Sequence, residues 1–109
     1  MQVDNSRIIA IENETILNDE IQELVHWSAS LCIHKCAIGP GIIYNGCMSV
    51  CDQILRVEDG KGIITIGNTV LEIALGEIAI IPSNNPYKIV NKSQKQKSLL
   101  RFNVTQWTP

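Results

Sequence analysis

Apolar runs punctuated by turn residues set the rhythm of this chain. Stretches rich in Val and Ile recur about every eight to twelve residues, the spacing of an all-β sandwich or barrel. Residues 7–12 (RIIAIE) form the first, and residues 30–37 a second that stops at Gly39-Pro40-Gly41. Residues 51–57 form a third, closed by the hairpin signature Asp59-Gly60-Lys61-Gly62. Residues 62–66 and 69–74 flank Gly67-Asn68, another two-residue turn signature. Residues 76–81 end at Pro82 and the turn-forming Ser83-Asn84-Asn85-Pro86, and residues 87–91 and 99–105 complete the set. One segment breaks the alternation. Between Asn13 and Trp27, Ile16, Leu17, Ile21, Leu24 and Val25 fall at helical spacing, with Glu20 and Glu23 on the other face. This spacing predicts one short N-terminal helical turn, with a loop across a barrel end as the alternative. No repeat, low-complexity stretch or linker interrupts the pattern, so residues 1–109 are expected to form a single domain.

Composition narrows the class. Apolar residues make up 45% and charged residues 18%, which suits a packed globule. Nine basic residues against eleven acidic give a net charge of −2. With no basic stripe, nucleic acid is not an expected partner; Lys92, Lys95 and Lys97 sit in a run that reads as a solvated turn. The longest apolar stretch, residues 71–81, is broken by Glu72 and Glu77, so no membrane span is expected. The N-terminal residues lack the charged and apolar regions of a secretory signal, and a cytoplasmic location is the expectation.

Four cysteines form two C-x3-C pairs, Cys32/Cys36 and Cys47/Cys51. That spacing permits a structural zinc site. The intervening residues Ile33-His34-Lys35 and Met48-Ser49-Val50, however, read as strand rather than as knuckle turns. Core or pocket lining is the expected role, with zinc and redox pairing as alternatives.

Two spaced patterns identify a fold. Gly41 is followed by five residues, then Cys47-Met48-Ser49, three residues, Gln53, six residues and Gly60. Gly76 is followed by five residues, then Pro82, Asn84, Tyr87 and, after three more residues, Asn91. The stretch from Gly41 to Asn91 resembles the two motifs of the cupin superfamily (about residues 41–60 and 76–91), with the frame residues Gly41, Gly60, Gly76, Pro82 and Asn91 in register. The resemblance implies an all-β, double-stranded β-helix or jelly-roll barrel. It also implies that Cys47, Ser49, Gln53 and Tyr87 stand where the family carries two His, a Glu and a His around a divalent metal. A thiol, a hydroxyl, an amide and a phenol are poor substitutes for imidazoles and a carboxylate. No metal and no other cofactor is therefore expected.

Alternation along the strand through residue 53 puts Cys47, Ser49, Cys51 and Gln53 on one face, taken by resemblance as the interior. The expected pocket is Cys47, Ser49, Cys51, Gln53, Tyr87 and Asn91, mildly polar and uncharged, fit for a small neutral or weakly polar molecule. Some relatives, such as the deoxysugar epimerases, work without metal by a His base and a Tyr acid. The corresponding candidates are His34 and Tyr87, with Cys47 as a further catalytic candidate. His34 faces inward only if the 32/34/36 set does; the 31/33/35/37 set is equally compatible with the pattern. The expected function is binding of a small organic molecule, with isomerisation, epimerisation or cyclisation by acid–base chemistry. Alternatives are a non-catalytic binding or assembly role and a zinc or copper site built on Cys47 with Cys51 and His34. The resemblance further implies a homodimer, with residues 7–12 as a strand for exchange and Trp27, Phe102 and Trp107 as interface candidates.

Overall fold

A computed structural model describes residues 12–18, 21–93 and 98–107. The described residues form ten strands and no helix. They are β1 (Glu12–Asn18), β2 (Ile21–Trp27), β3 (Leu31–Ile38), β4 (Ile43–Gly46), β5 (Gln53–Asp59), β6 (Lys61–Ile66), β7 (Thr69–Ala74), β8 (Ile78–Ile81), β9 (Tyr87–Asn91) and β10 (Leu100–Trp107). A six-stranded sheet runs β1-β2-β3-β10-β5-β8 and a four-stranded sheet β4-β9-β6-β7, with every pairing antiparallel. Residues 7–11, the expected exchange strand apart from Glu12, lie outside the described residues.

The two sheets meet through their inward rows, the arrangement that lets alternating strands bury one face. Ile38, Leu55, Val57, Ile64, Ile81, Ile89 and Leu100 are fully buried between them, with Phe102 and Val104 almost so. Phe102 is thus core, whereas Trp107 is exposed. The interior is apolar at one end, where Ile38 and Leu100 pair across β3 and β10. It is polar at the other, where Cys32, Gln106 and Gln53 lie side by side across β3, β10 and β5.

Two expectations are corrected. The helical turn expected between Asn13 and Trp27 is replaced by β1 and β2, paired antiparallel with Glu14 opposite Leu24. β2 then pairs along its whole length with β3, from Ile21 opposite Ile38 to Trp27 opposite Cys32. A complete ladder to a central strand satisfies every backbone group that a single helical turn would leave half bonded, so tertiary pairing overrides the local spacing. The second correction concerns residues 47–53. The strand stops at Gly46 and resumes at Gln53, because here the chain crosses from the four-stranded to the six-stranded sheet. Strict alternation therefore does not run through Cys47, Ser49 and Cys51.

Turn chemistry follows the sequence closely. Gly60 has a φ of +84°, and a Cβ on it would meet the Leu99 carbonyl oxygen at 2.8 Å. Asn84, which stands where the resembling motif has Gly, also takes a left-handed φ of 60°. Asn is the side chain that best tolerates that region, so the substitution preserves the turn.

Candidate functional site

A second polar group in the interior, further along β3, joins β2, β3 and β4. On β3 the 32/34/36 set faces in, since Cys32, Cys36 and Ile38 are buried and pair with Gln106, Phe102 and Leu100 of β10. This places His34 inside. On β2 the inward positions are Ile21, Glu23 and Val25, so a carboxylate interrupts an apolar row.

Glu23 organises the site. Its Oε2 accepts hydrogen bonds from Tyr44 Oη at 2.8 Å and from His34 Nδ1 at 2.8 Å, with Cys36 Sγ a longer donor at 3.9 Å. The Glu23 and His34 side chains are 15% and 29% exposed, so the pair lies in a partly water-excluded setting. An ionised carboxylate only accepts hydrogen bonds, so the network assigns the proton of the neutral imidazole to Nδ1. Nε2 is then the acceptor, and Cys32 Sγ lies 3.5 Å from it. Tyr44 is fixed from behind by an edge-to-face contact with Phe102, with ring centroids 5.4 Å apart at 70°.

The surrounding acids are held in their neutral forms. Burial, then the Glu23 charge, pushes the Cys36 thiol up to about 12. Burial foremost, then the Cys36 and Glu23 groups, raises the Tyr44 phenol well above its ordinary range. Tyr87 is raised in the same direction, by burial first and then by Cys36, Cys47 and Glu23. Its ring lies over Gly46, its register partner on β4, where a Cβ would fall within the ring.

The remaining sequence candidates have structural partners. Cys47 is exposed and Cys51 half-buried, both in the crossing loop. The Ser49 hydroxyl accepts from the Cys51 N–H at 3.1 Å, and the Ser49 carbonyl accepts from the Asn84 N–H at 2.7 Å. Gln53 is buried, and its Nε2 donates to the Cys47 carbonyl at 3.1 Å. Asn91 sits at the apolar end, where its Nδ2 donates to the Ile38 and Ser98 carbonyls at 3.0 and 2.8 Å and its Oδ1 accepts from the Ser93 N–H at 2.9 Å. The structure thus bonds His34, with Tyr44, to Glu23, while Tyr87 packs over Gly46 and the hydrogen bonds of Ser49 and Asn91 go to the backbone.

The four positions that carry metal ligands in the resembling family do not fit a divalent metal here. Gln53 and Ser49 are committed to loop hydrogen bonds, Cys47 is exposed, and burial opposes ionisation of Tyr87. Nor, among the described residues, do three His, Cys, Asp or Glu side chains converge as a ligand set. The C-x3-C pairs are split between the β3 interior and the crossing loop, and no disulfide links any cysteine.

Glu23 and Tyr44 were not expected at the site, whereas Cys32 and Cys36 take the expected lining role. The sequence places Glu23 on the polar side of a helical spacing; the strand alternation Ile21, Glu23, Val25 is the signal that finds it, because a lone carboxylate in an apolar row demands a partner.

Comparison with solved structures fixes the architecture. An RmlC-like cupin from Shewanella frigidimarina superposes with a TM-score of 0.73 at 11% identity, covering 90% of this chain and 85% of that one. The Cnp3 cupin domain of Schizosaccharomyces pombe superposes at 0.70 with 15% identity, covering 92% and 88%. The fold is that of the cupins. TT1209 from Thermus thermophilus superposes over nearly full length, at 0.71 with 19% identity and 99% and 98% coverage. No family model and no curated protein matches the sequence. At such identities the likeness concerns the cupin frame, and the function must be read from the residues that fill it.

Proposed function

We propose that this small cupin-fold protein receives a small, neutral or weakly polar organic molecule at the polar end of its barrel and moves a proton on it. The class of reaction is isomerisation, epimerisation or cyclisation by acid–base chemistry. The observation that carries this reading is the Glu23 carboxylate set inside the barrel with His34 Nδ1 and Tyr44 Oη on a single oxygen. A carboxylate behind an imidazole fixes its tautomer and orientation and stabilises the imidazolium that forms during proton transfer. Tyr87, kept protonated by burial, supplies a neutral acid on the facing sheet. Every described Lys and Arg is exposed, so the interior favours an uncharged guest.

A thermal-shift screen of neutral metabolite-sized compounds tests this. A guest present at about a hundred times its dissociation constant adds about 2.7 kcal/mol to the native state. Hits are expected whose shift is retained in Cys47→Ala and lost in Tyr87→Ala. His34→Gln is expected to bind the hit yet lose solvent-deuterium exchange into it. Hits that ignore Tyr87→Ala, or exchange that survives His34→Gln, contradict the reading.

A further inference from the structure

The imidazole that Glu23 orients ends on a sulfur. His34 Nε2 faces Cys32 Sγ at 3.5 Å while Nδ1 is held by Glu23 at 2.8 Å. A carboxylate, an imidazole and a thiol in series form the arrangement in which an oriented base activates a nucleophile. Cys32 also lies in the polar row of the interior, with Gln106 as its register partner on β10 and Gln53 beyond on β5. Cys36, four residues along the same face, points instead at the Glu23 oxygen at 3.9 Å, and burial, then the Glu23 charge, pushes its thiol up to about 12.

We propose that Cys32, His34 and Glu23 form a thiol site that adds reversibly to the carbonyl carbon of a small uncharged aldehyde or ketone. This deepens the function proposed above and rests on the same Glu23–His34 pair. The Sγ–H proton passes to His34 Nε2, and the thiolate forms the S–C bond while the carbonyl π pair moves onto oxygen. His34 returns the proton to that oxygen. The product is a neutral hemithioacetal, so the step needs neither an oxidant nor a leaving group. Gln106, half-buried beside Cys32, offers an uncharged amide to polarise the carbonyl.

The groups facing the sulfur set the balance of charge. His34 of β3 lies beside the sulfur with Glu23 of β2 bonded to it, and the register neighbours Gln106 of β10 and Gln53 of β5 bring uncharged amides. His34 is bonded between Glu23 and the sulfur, so a thiolate formed by proton transfer from Cys32 to His34 has an imidazolium as its neighbour.

Iodoacetamide labelling of the folded protein, followed cysteine by cysteine by mass spectrometry across pH, tests the site. At about pH 6, Cys32 is expected to react at least about ten-fold faster than Cys47, with Cys36 unmodified. His34→Gln is expected to remove that advantage and move the Cys32 profile upward by more than about one pH unit, with an unchanged circular dichroism spectrum. Acetaldehyde is expected to slow Cys32 labelling in the wild type and not in His34→Gln. Since Cys32 is buried, ultraviolet thiolate absorbance of the Cys36→Ala, Cys47→Ala, Cys51→Ala triple variant gives the same titration without a reagent, and its result decides where labelling is slow. A Cys32 thiol that ionises no earlier than Cys47, or a profile unmoved by His34→Gln, overturns the thiol site. Labelling indifferent to acetaldehyde overturns the carbonyl assignment. Neither result alters the thermal-shift outcome, so failure of this site and failure of the proposed function are separate readings.

Discussion

Asn91 shows how completely one side chain can be used by its own fold. Its amide bonds the carbonyl at the end of β3, the carbonyl of Ser98 and the N–H of Ser93, all from a position 1% exposed. Asn91→Ala strips partners from buried carbonyls, and a buried polar group left unpaired costs about 1–3 kcal/mol. A loss of about 2–3 kcal/mol in urea unfolding is therefore expected, with ligand-induced thermal shifts unaffected. A second residue-scale prediction concerns pH. The Cys36 thiol is raised from its ordinary 9.0 to about 12, so above about pH 9 the unfolded chain releases a proton that the folded chain keeps. The stability tied to this thiol is fully present below about pH 9 and is lost as pH rises towards about 12. Tyr44 and Tyr87 shift in the same direction and add to the fall. Urea midpoints should decline over this range, and less steeply in Cys36→Ala; a flat profile contradicts the buried, protonated thiol. At this scale the sequence pointed to His34 and Tyr87 by type, but the Glu23 partner of His34 depends on a strand assignment that local spacing hides.

Among the elements, β4 and β9 hold the clearest test of how the site is shaped. Gly46 has no side chain, and the Tyr87 ring occupies the space a Cβ would need. Replacing a strand Gly by Ala ordinarily gains about 0.5–1 kcal/mol. Overpacking ordinarily costs about 1–3 kcal/mol, and here the obstacle is a buried ring rather than a flexible chain end, so the cost wins. Gly46→Ala is expected to lower stability by about 1–2 kcal/mol and to displace Tyr87, abolishing ligand shifts. Stabilisation by Gly46→Ala would contradict the packing of Tyr87 on β4. Strands β5 to β10 were legible because each is bounded by turn chemistry of its own, as at Gly60, Gly67 and Pro82. β4 was not, being four residues without such a boundary at its far end. β1 and β2 were hidden for a different reason: Ile16, Leu17, Ile21, Leu24 and Val25 satisfy a helical period, and only the ladder with β3 decides between the two.

For the molecule as a whole, the frame and the site come from different parts of the chain. Gly41, Gly60, Gly76 and Asn91 brace the barrel, and the Gly41 N–H donates to the Asn91 carbonyl at 2.8 Å, tying the two motifs together. Such turn positions are fixed in spacing, which is why the frame could be read directly. The site instead draws Glu23, Cys32 and His34 from strands before the first motif, and their common inward face arises only when β2, β3 and β10 pair. A groove of about 290 Å³ is lined by the outward Leu24, Lys35, Glu58 and Arg101 and also reaches Glu23, Cys36 and Phe102. Amide NMR of the isotope-labelled protein, titrated with the best hit from the neutral-compound screen, tells the two faces apart. The account predicts perturbations centred on Glu23, Cys32, His34 and Tyr87, absent in Tyr87→Ala. Perturbations confined to Leu24, Lys35 and Arg101, and unchanged in that variant, would contradict it.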